Sequence, residues 1–296
     1  MSLISLEEII MKTRTESVPF WRVVLSDDME DRMVSEEHSI SEMRRTWNAM
    51  LAASGNYDGT LRSMSGLSGG DGARYDEYAS AGDTICGKFM SEVLAEALKM
   101  TESNACMKRI VAAPTAGSSG VIPAVLVPLW RTGGYTEQQM IEALYTAGGI
   151  GSVIAQRASI SGAAGGCQAE VGSAAAMAAG ALVCLKGGDG DKTAHAVAMA
   201  LNNLMGLICD PVAGFVEVPC IKRNVAGAFV AVSSADMALA GIKSRIPPDE
   251  VIDTMGVVGA EMPLKFRETA TGGIAGTPTA LEIKRTLEQH GLVSVI

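Results

Sequence analysis

Helix-start signals recur along this chain, while the alternating apolar and polar runs typical of β-strands are scarce. Residues 5–8 (SLEE) form a capping box, in which a serine oxygen and a glutamate satisfy the free N–H groups of a first turn. Residues 136–139 (TEQQ) repeat the pattern, and residues 247–250 (PPDE) place proline and acids where a helix begins. Only residues 215–219 (FVEVP) resemble a short strand. The signals predict a mainly α protein.

Hydrophobic residues make up 48% of the chain and aromatic residues only 4%, so the core is expected to consist of Ala, Val, Leu, Ile and the 17 Met rather than of aromatic rings. The small residues among them let helices approach closely, which suits a packed helical protein. Glycine, which tolerates positive φ and close backbone approach, clusters between the predicted helices. Each cluster is either an ordinary connector or one loop of a shared site. The sequence predicts a single large helical domain with glycine-rich loops forming the site, at residues 65–72, 116–120, 148–151, 161–166 and 271–276.

The first 60 residues are more charged and polar than the rest of the chain. We interpret residues 1–60 as an N-terminal helical arm or packing segment and residues 61–296 as the catalytic domain. No linker-like composition marks the boundary. The last helix is expected at about residues 279–290, ending before Gly291, a typical C-terminal cap.

Charge and hydropathy exclude several classes of protein. A net charge of −9 and a pI of about 5.0 argue against nucleic-acid binding, which needs a basic surface. The beginning of the chain is acidic and lacks the apolar core of a secretory signal. Apolar stretches at residues 110–130 and 225–241 are interrupted by proline, serine or aspartate. We therefore expect a cytoplasmic protein that binds no membrane, in a compartment where thiols stay reduced.

The six cysteines divide into two groups. Cys86, Cys106 and Cys184 lie in apolar helical patterns and are predicted to be small buried hydrophobic residues. The other three stand at breaks beside glycine or proline, where a thiolate is favoured: Cys167, Cys209 and Cys220. No C-x-x-C pair is present, so zinc-ribbon and ferredoxin patterns do not fit. From spacing alone, these three are metal ligands, buried packing thiols or a redox pair.

Three segments carry a family resemblance: residues 112–126 (AAPTAGSSGVIPAVL), 165–183 (GGCQAEVGSAAAMAAGALV) and 195–224 (HAVAMALNNLMGLICDPVAGFVEVPCIKRN). They resemble signature segments of the iron–sulfur-dependent L-serine dehydratases, in particular the α-chain of the two-subunit form. The resemblance runs from about residue 61 to 280. It implies that Cys167, Cys209 and Cys220 bind three irons of a [4Fe–4S] cluster and leave the fourth without a protein ligand. That iron would act as a Lewis acid on the serine hydroxyl, without pyridoxal phosphate, and would make the enzyme oxygen-sensitive.

The resemblance also implies two substrate loops that hold the carboxylate and ammonium of serine. Their expected contacts are Ser68, Gly69, Gly70 and Asp71 in the first loop and Thr115, Gly117, Ser118 and Ser119 in the second. Asp71 is alternatively a helix N-cap, and the second loop is alternatively a structural turn. Lys265 and Glu268 either frame the site entrance or lie on a solvated helix face.

The sequence does not identify the general base. His195 lies on an amphipathic helix, where a packing or supporting role is favoured over catalysis, while His38 and His290 are expected in solvent. Lys222 and Arg223 directly follow Cys220 in the chain. Their positive charges either stabilise a negatively charged cluster and an anionic substrate, or lie on the surface.

Compared with single-chain members of the family, this chain lacks the fused extra domain and a C-terminal cysteine. This predicts a separate regulatory β-chain, a hetero-oligomer, and the β-chain as one source of the base. The alternatives are a related lyase acting on threonine or cysteine, a cluster-bearing redox sensor, or an assembly subunit that is inert alone.

Overall fold

The structure, a computed structural model, describes residues 2–293, and these confirm the predicted mainly α fold as one helical domain. The described residues form thirteen α-helices and no β-strand. The helices are α1 (Leu6–Glu16), α2 (Phe20–Arg32), α3 (Glu36–Gly55), α4 (Asp71–Ser80), α5 (Gly87–Ala105), α6 (Val121–Arg131), α7 (Glu137–Arg157), α8 (Gly162–Gly165), α9 (Ser173–Leu185), α10 (Gly190–Leu204), α11 (Cys220–Leu239), α12 (Pro248–Glu261) and α13 (Pro278–Gln289).

Local sequence signals set several of these helix ends. At α7 the capping box is complete, because the Thr136 N–H donates to Gln139 Oε1 (2.8 Å) and the Gln139 N–H donates to Thr136 Oγ1 (3.3 Å). At α1 the Ser5 hydroxyl accepts from the Glu8 N–H at 3.0 Å, but the Glu8 carboxylate accepts from Ile4 rather than from Ser5. The expected helix ending before Gly291 is confirmed by α13, which ends at Gln289.

The strand-like segment at residues 215–219 is an irregular loop, so its interpretation as a strand was wrong. Its backbone turns back on itself: the Val212 N–H donates to the Val218 carbonyl at 2.8 Å. Glu217, in the middle of the segment, is 3% exposed and accepts from the Ser63 hydroxyl at 2.7 Å and the Ser65 hydroxyl at 2.9 Å. Contacts with a distant loop therefore override the local strand preference.

The core is built around α9, whose residues are small and almost all buried. Helices α6, α7, α10 and α11 all pack against it. An added Cβ at Gly227 of α11 would lie 2.7 Å from Val171 Cγ1, so this glycine permits close approach at the start of the core helix. The composition of small apolar residues thus has its structural counterpart in tightly packed helices.

The N-terminal segment packs onto the same core. Leu6 and Ile9 of α1 are fully buried, and α2 packs against α7. The backbone N–H groups of Leu6 and Glu7 donate to the Asp249 carboxylate of α12 at 2.9 and 3.0 Å. The division at residue 60 stays a prediction.

One helical window, Gln168–Leu185, is long and apolar enough to cross a membrane by length and composition. Within the fold 89% of this window is buried, as is typical of a core helix packed by other helices. This window lies between the two apolar stretches of the sequence, residues 110–130 and 225–241.

Three cysteines predicted to be buried are instead half-buried: Cys86, Cys106 and Cys184. Cys86 and Cys106 flank α5 at its two ends, where the chain leaves the core. Cys184 alone lies within a helix, α9, and burial raises the pKa of its thiol. The helical pattern therefore misplaced the first two by one or two residues across a helix end.

Candidate active site

The centre of the candidate site is a group of three side chains: Cys167, Glu170 and Cys209. One ligand atom from each, two sulfurs and a carboxylate oxygen, lies within 4.8 Å of the others. Both cysteines are buried and Glu170 is half-buried. Cys167 directly precedes the π-helical turn Gln168–Gly172, which contains Glu170 and leads into α9. Single π-turns inside helices are frequent at functional sites.

Cys209 is fixed by its backbone. Its N–H donates to the Phe266 carbonyl at 2.8 Å, and its own carbonyl accepts from the Glu268 N–H at 2.9 Å. This isolated bridge brings residues 266–268 next to the cysteine pair. The negative charge of Glu268 contributes to raising the pKa of the Glu170 carboxyl, although burial is the larger cause. Of the two alternatives for Glu268, proximity to the site is therefore favoured over a solvated helix face.

Cys220, the first residue of α11, is also buried. Burial raises the pKa of its thiol to about 12, and the charge of Cys167 acts in the same direction. Its sulfur is outside the group of ligand atoms that lie within 4.8 Å of one another. The structure thus brings together two of the three predicted cysteine ligands with a glutamate. The third, Cys220, is close enough for the charges of Cys167 and Glu170 to raise the pKa of its thiol.

The pKa values of the two central cysteines shift in opposite directions. A hydrogen bond with Cys209 lowers the pKa of the Cys167 thiol and raises the pKa of the Cys209 thiol. Arg223 Nη1 lies 3.6 Å from Cys167 Sγ and contributes to lowering the pKa of Cys167. A thiolate beside a guanidinium is the form of cysteine that binds metals.

Arg223 is therefore part of the site rather than a surface charge. Besides Cys167, its Nη1 contacts Asp210 Oδ1 at 2.7 Å and the Ile208 carbonyl at 2.8 Å. Asp210 is almost fully buried, and its Oδ2 accepts from the Ile274 N–H at 2.7 Å. Arg223 thus ties the start of α11 to the cysteine segment, and Asp210 ties that segment to the glycine-rich loop at residues 271–276.

Two glycines form a close cradle around Glu170. An added Cβ at Gly162 would lie 2.5 Å from Glu170 Oε2 and 3.2 Å from Cys209 Sγ, and one at Gly117 would lie 3.1 Å from Oε1. The Thr115 hydroxyl donates to Glu170 Oε1 at 2.7 Å. Two glycine-rich loops therefore meet at the carboxylate. Buried thiols from three segments within such a cradle fit the donor chemistry of an iron–sulfur cluster.

The second predicted substrate loop is a structured turn that reaches this centre. The Ser118 hydroxyl lies 3.1 Å from the Thr115 hydroxyl within a one-turn 3₁₀ helix, Ala116–Ser118. Asn224 of α11 holds the loop, since its amide donates to the Gly117 carbonyl at 2.8 Å. Ser118 and Ser119 are fully buried, and the Ser119 hydroxyl has no hydrogen-bond partner among residues 2–293.

At the first predicted loop, the N–H groups that directly follow Gly70 already have a partner. Gly70 (φ 83°) is the N-cap of α4, so Asp71 is the first helical residue rather than the cap. The Asp71 N–H donates to Glu102 Oε1 at 2.7 Å, and the Gly72 N–H donates to Oε2 at 3.1 Å. A buried carboxylate of the protein thus occupies the N-terminus of α4, directly after the predicted donors Ser68, Gly69 and Gly70.

The Asp71 side chain faces two cations. Its Oδ2 accepts from Lys222 Nζ at 2.6 Å, which lowers the pKa of the Asp71 carboxyl, and its Oδ1 accepts from Arg74 at 2.9 Å. Ser68 is buried, and its N–H donates to Ser63 Oγ at 3.2 Å. The loop at residues 68–71 therefore connects to α11 through Lys222. Its predicted contacts with substrate stay predictions.

Three buried or half-buried glutamates organise these loops, and the sequence reading missed all of them: Glu102, Glu170 and Glu217. For Glu170 a signal exists, because it follows Cys167 by three residues, a spacing that places two side chains on one face of a helix. Glu102 and Glu217 receive their hydrogen bonds from distant residues. An acid within an otherwise apolar stretch indicates burial for Glu217, in residues 215–218 (FVEV), whereas Glu102, in residues 99–104 (KMTESN), carries no such signal.

The histidines do not supply an evident base. His195 is half-buried on α10, and its Nδ1 is buried without a partner among the described residues. Burial, followed by the charge of Lys243, lowers the pKa of its imidazole. His38 and His290 are exposed, as expected.

Comparisons with known proteins agree with this arrangement. The family described as serine dehydratase alpha chain matches residues 15–275. The chain is 44% identical to the probable L-serine dehydratase alpha chain of Bacillus subtilis (strain 168), over 96% of this chain and 94% of that protein. It is 39% identical to the L-serine dehydratase alpha chain of Peptoniphilus asaccharolyticus, over 96% of this chain and 98% of that protein. To the L-serine dehydratase TdcG of Escherichia coli (strain K12) it is 43% identical, over 60% of this chain and 40% of that protein. The chain belongs to the serine dehydratase alpha chain family.

Proposed function

We propose that this chain is the cluster-binding subunit of an L-serine dehydratase, a lyase that converts L-serine to pyruvate and ammonia. The observation that carries the proposal is the convergence of Cys167, Cys209 and Glu170, with buried Cys220 nearby. The names of the relatives support serine as the substrate. The thiolates of Cys167, Cys209 and Cys220 would hold a [4Fe–4S] cluster, which when bound supplies a Lewis acid for the departing hydroxyl of serine.

The residues of the chain prepare the site for a small zwitterion. Arg223 places positive charge beside Cys167 and stabilises anionic groups there. The Ser119 hydroxyl and the loop at residues 115–118 provide polar groups in a buried setting, where hydrogen bonds discriminate strongly. Loss of the Cα proton and of the β-hydroxyl gives aminoacrylate, whose imine tautomer reacts with water to release ammonia and pyruvate.

We further propose that the chain works in the cytoplasm with a separate β-chain. Among the described residues, the three histidines offer no evident base at the cysteine centre, since two are exposed and His195 is held on α10. A base supplied by the β-chain accounts for the abstraction of the Cα proton. The α-chain name of two relatives supports such a partner.

The test is anaerobic purification of the chain together with its β-chain. We expect about four irons per α-chain, the number in a cubane cluster, and pyruvate formation from L-serine, with L-threonine and L-cysteine assayed in parallel. Cys209→Ser should lose iron and activity, whereas Cys86→Ser, a half-buried cysteine beside α5, should keep both. An iron-free active enzyme, or full activity in Cys209→Ser, would refute the proposal. Full activity of the α-chain alone would refute the role of the β-chain.

A further inference from the structure

Glu170 is not one of the predicted ligands, yet it shares the metal-binding geometry of two of them. Its carboxylate oxygen lies within 4.8 Å of both Cys167 Sγ and Cys209 Sγ. Cys167 and Glu170 are three residues apart across the start of the π-helical turn Gln168–Gly172, so the local backbone directs both side chains to one side. A thiolate and a carboxylate from a single turn therefore face Cys209 together.

The Glu170 carboxylate has a hydrogen-bond donor at one of its two oxygens. Oε1 accepts from the Thr115 hydroxyl at 2.7 Å. Oε2 has no hydrogen-bond donor within residues 2–293 and faces Gly162, where an added Cβ would lie 2.5 Å away. The missing side chain at Gly162 leaves Oε2 free beside Cys209 Sγ.

No cation of the described chain balances this carboxylate. Arg223, the guanidinium at the centre, contacts Cys167 and Asp210 instead, and Glu170 forms no ion pair with any Lys or Arg within the described range. Glu170 is half-buried and receives one hydrogen bond, from Thr115 to Oε1. Its Oε2 is therefore available to a metal beside the two cysteine sulfurs.

We propose that Glu170 is the fourth protein ligand of the cluster, through Oε2, and that L-serine displaces it. This inference rests on the proposed function and changes one expectation of the sequence analysis, in which the fourth iron had no protein ligand. A carboxylate oxygen is a harder and weaker ligand for this iron than a thiolate, and it exchanges for an incoming carboxylate or hydroxyl. In this proposal Glu170 occupies the fourth ligand position in the absence of substrate and leaves it when serine binds. The hydrogen bond from Thr115 then holds the released Glu170 side chain.

The experiment uses the α-chain with its β-chain, loaded anaerobically and reduced by one electron with dithionite. Glutamate labelled with ¹³C at the side-chain carboxyl is incorporated, and the cluster is observed by electron–nuclear double resonance. We expect a ¹³C coupling in the wild type that is absent in Glu170→Ala and absent in the wild type saturated with L-serine. The matched control is Glu268→Ala, a carboxylate close to the same centre, which should keep the coupling.

The outcomes separate this inference from the proposed function. A wild type that binds no iron would overturn both. An iron-loaded wild type without ¹³C coupling, or an unchanged coupling in Glu170→Ala, would overturn only the assignment of Glu170. A coupling that persists under saturating serine would overturn the displacement. If Glu170→Ala does not retain iron, the coupling in labelled wild type is compared with that in labelled Glu268→Ala, because Glu170 and Glu268 are the glutamates whose charges act on Cys209; loss of the coupling in Glu268→Ala would overturn the assignment of Glu170.

Discussion

The hydrogen bonds that Glu102 accepts predict a large and specific loss of stability in Glu102→Ala. This carboxylate is 2% exposed and accepts from the N–H groups of Asp71 (2.7 Å) and Gly72 (3.1 Å) and from the Tyr57 hydroxyl (2.6 Å). It supplies the side-chain acceptor at the start of α4 that the N-cap, Gly70, cannot provide. Replacement by alanine removes the acceptor of three donors, one in a buried residue (Gly72) and two in half-buried residues (Asp71 and Tyr57).

The magnitude follows from these three donors. A hydrogen bond to a charged group contributes about 1.5–3 kcal/mol, and loss of a helix cap costs about 1 kcal/mol. Water entering the vacated space offsets part of the sum, so we expect the free energy of unfolding to fall by about 3–5 kcal/mol. At about 2 °C per kcal/mol for a chain of this size, the Tm should drop by about 6–10 °C. Because the loop at residues 68–70 leads into α4, the KM for L-serine should rise as well.

Equilibrium unfolding in urea, followed by far-UV circular dichroism, measures the change, and hydrogen exchange of the Asp71 and Gly72 amides locates it. The control is Glu92→Ala on the same helix, α5, because Glu92 is half-buried and has no hydrogen-bond partner in the described part of the chain. It should cost less than about 0.5 kcal/mol. A loss below about 1 kcal/mol in Glu102→Ala, with both amides still protected, would refute the capping role.

Three further substitutions test other parts of the molecule. Gly162→Ala puts a methyl group 2.5 Å from Glu170 Oε2, so it should reduce the iron retained after anaerobic reconstitution, measured by colorimetric iron analysis. Arg223→Gln leaves Asp210, 1% exposed, without its cation and should lower the free energy of unfolding in urea by about 3–5 kcal/mol. Burial lowers the pKa of His195, so the unfolded state binds the proton first as the pH falls through about 6.5, and stability decreases. His195→Phe should therefore flatten the dependence of Tm on pH between about 7.5 and 5.5.

Each of these has a matched control. Gly148→Ala adds a methyl group with nothing within 4 Å and should leave iron retention unchanged. Equal iron loss in both glycine variants would contradict a specific role of the space between Gly162 and Glu170 in holding iron. Lys222→Gln removes a more exposed ion pair with Asp71 and should cost less than about 1 kcal/mol; a similar cost for Arg223→Gln would mean that water reaches Asp210. His38→Gln, an exposed site, should not alter the pH slope, and an unaltered slope in His195→Phe would exclude His195 as its source.

The fold was predictable where the chemistry is local. The Thr136 and Gln139 capping box and the proline at the start of α12 act within one turn, so the sequence pattern alone specifies them. The strand-like segment at residues 215–219 failed for the opposite reason. Its Glu217 is held by Ser63 and Ser65, about 150 residues earlier in the chain, and no local pattern contains that information.

The candidate site was predictable only in part. Spacing left the roles of Cys167, Cys209 and Cys220 open, and it was the family resemblance that linked them to a cluster. The proximity of Cys167 and Glu170 could have been predicted from their helical spacing. The role of Glu102, in contrast, depends on its tertiary contact with the start of α4, which the local sequence does not show. The sequence also cannot show that the helix terminus after Gly70 is already occupied.

The three glutamates of the site differ in how completely they are satisfied, and this difference locates the reactive position. Glu102 accepts three hydrogen bonds and Glu217 accepts from two serines, so each pins a glycine-rich loop without spare capacity. Glu170 accepts from Thr115 alone among the described residues, although it stands beside the cysteine pair. Of these three glutamates, Glu170 is the one left with an oxygen free to bind an exchangeable partner beside the cysteine pair. The loops are thus prearranged by Glu102 and Glu217, and ligand exchange is concentrated at Glu170.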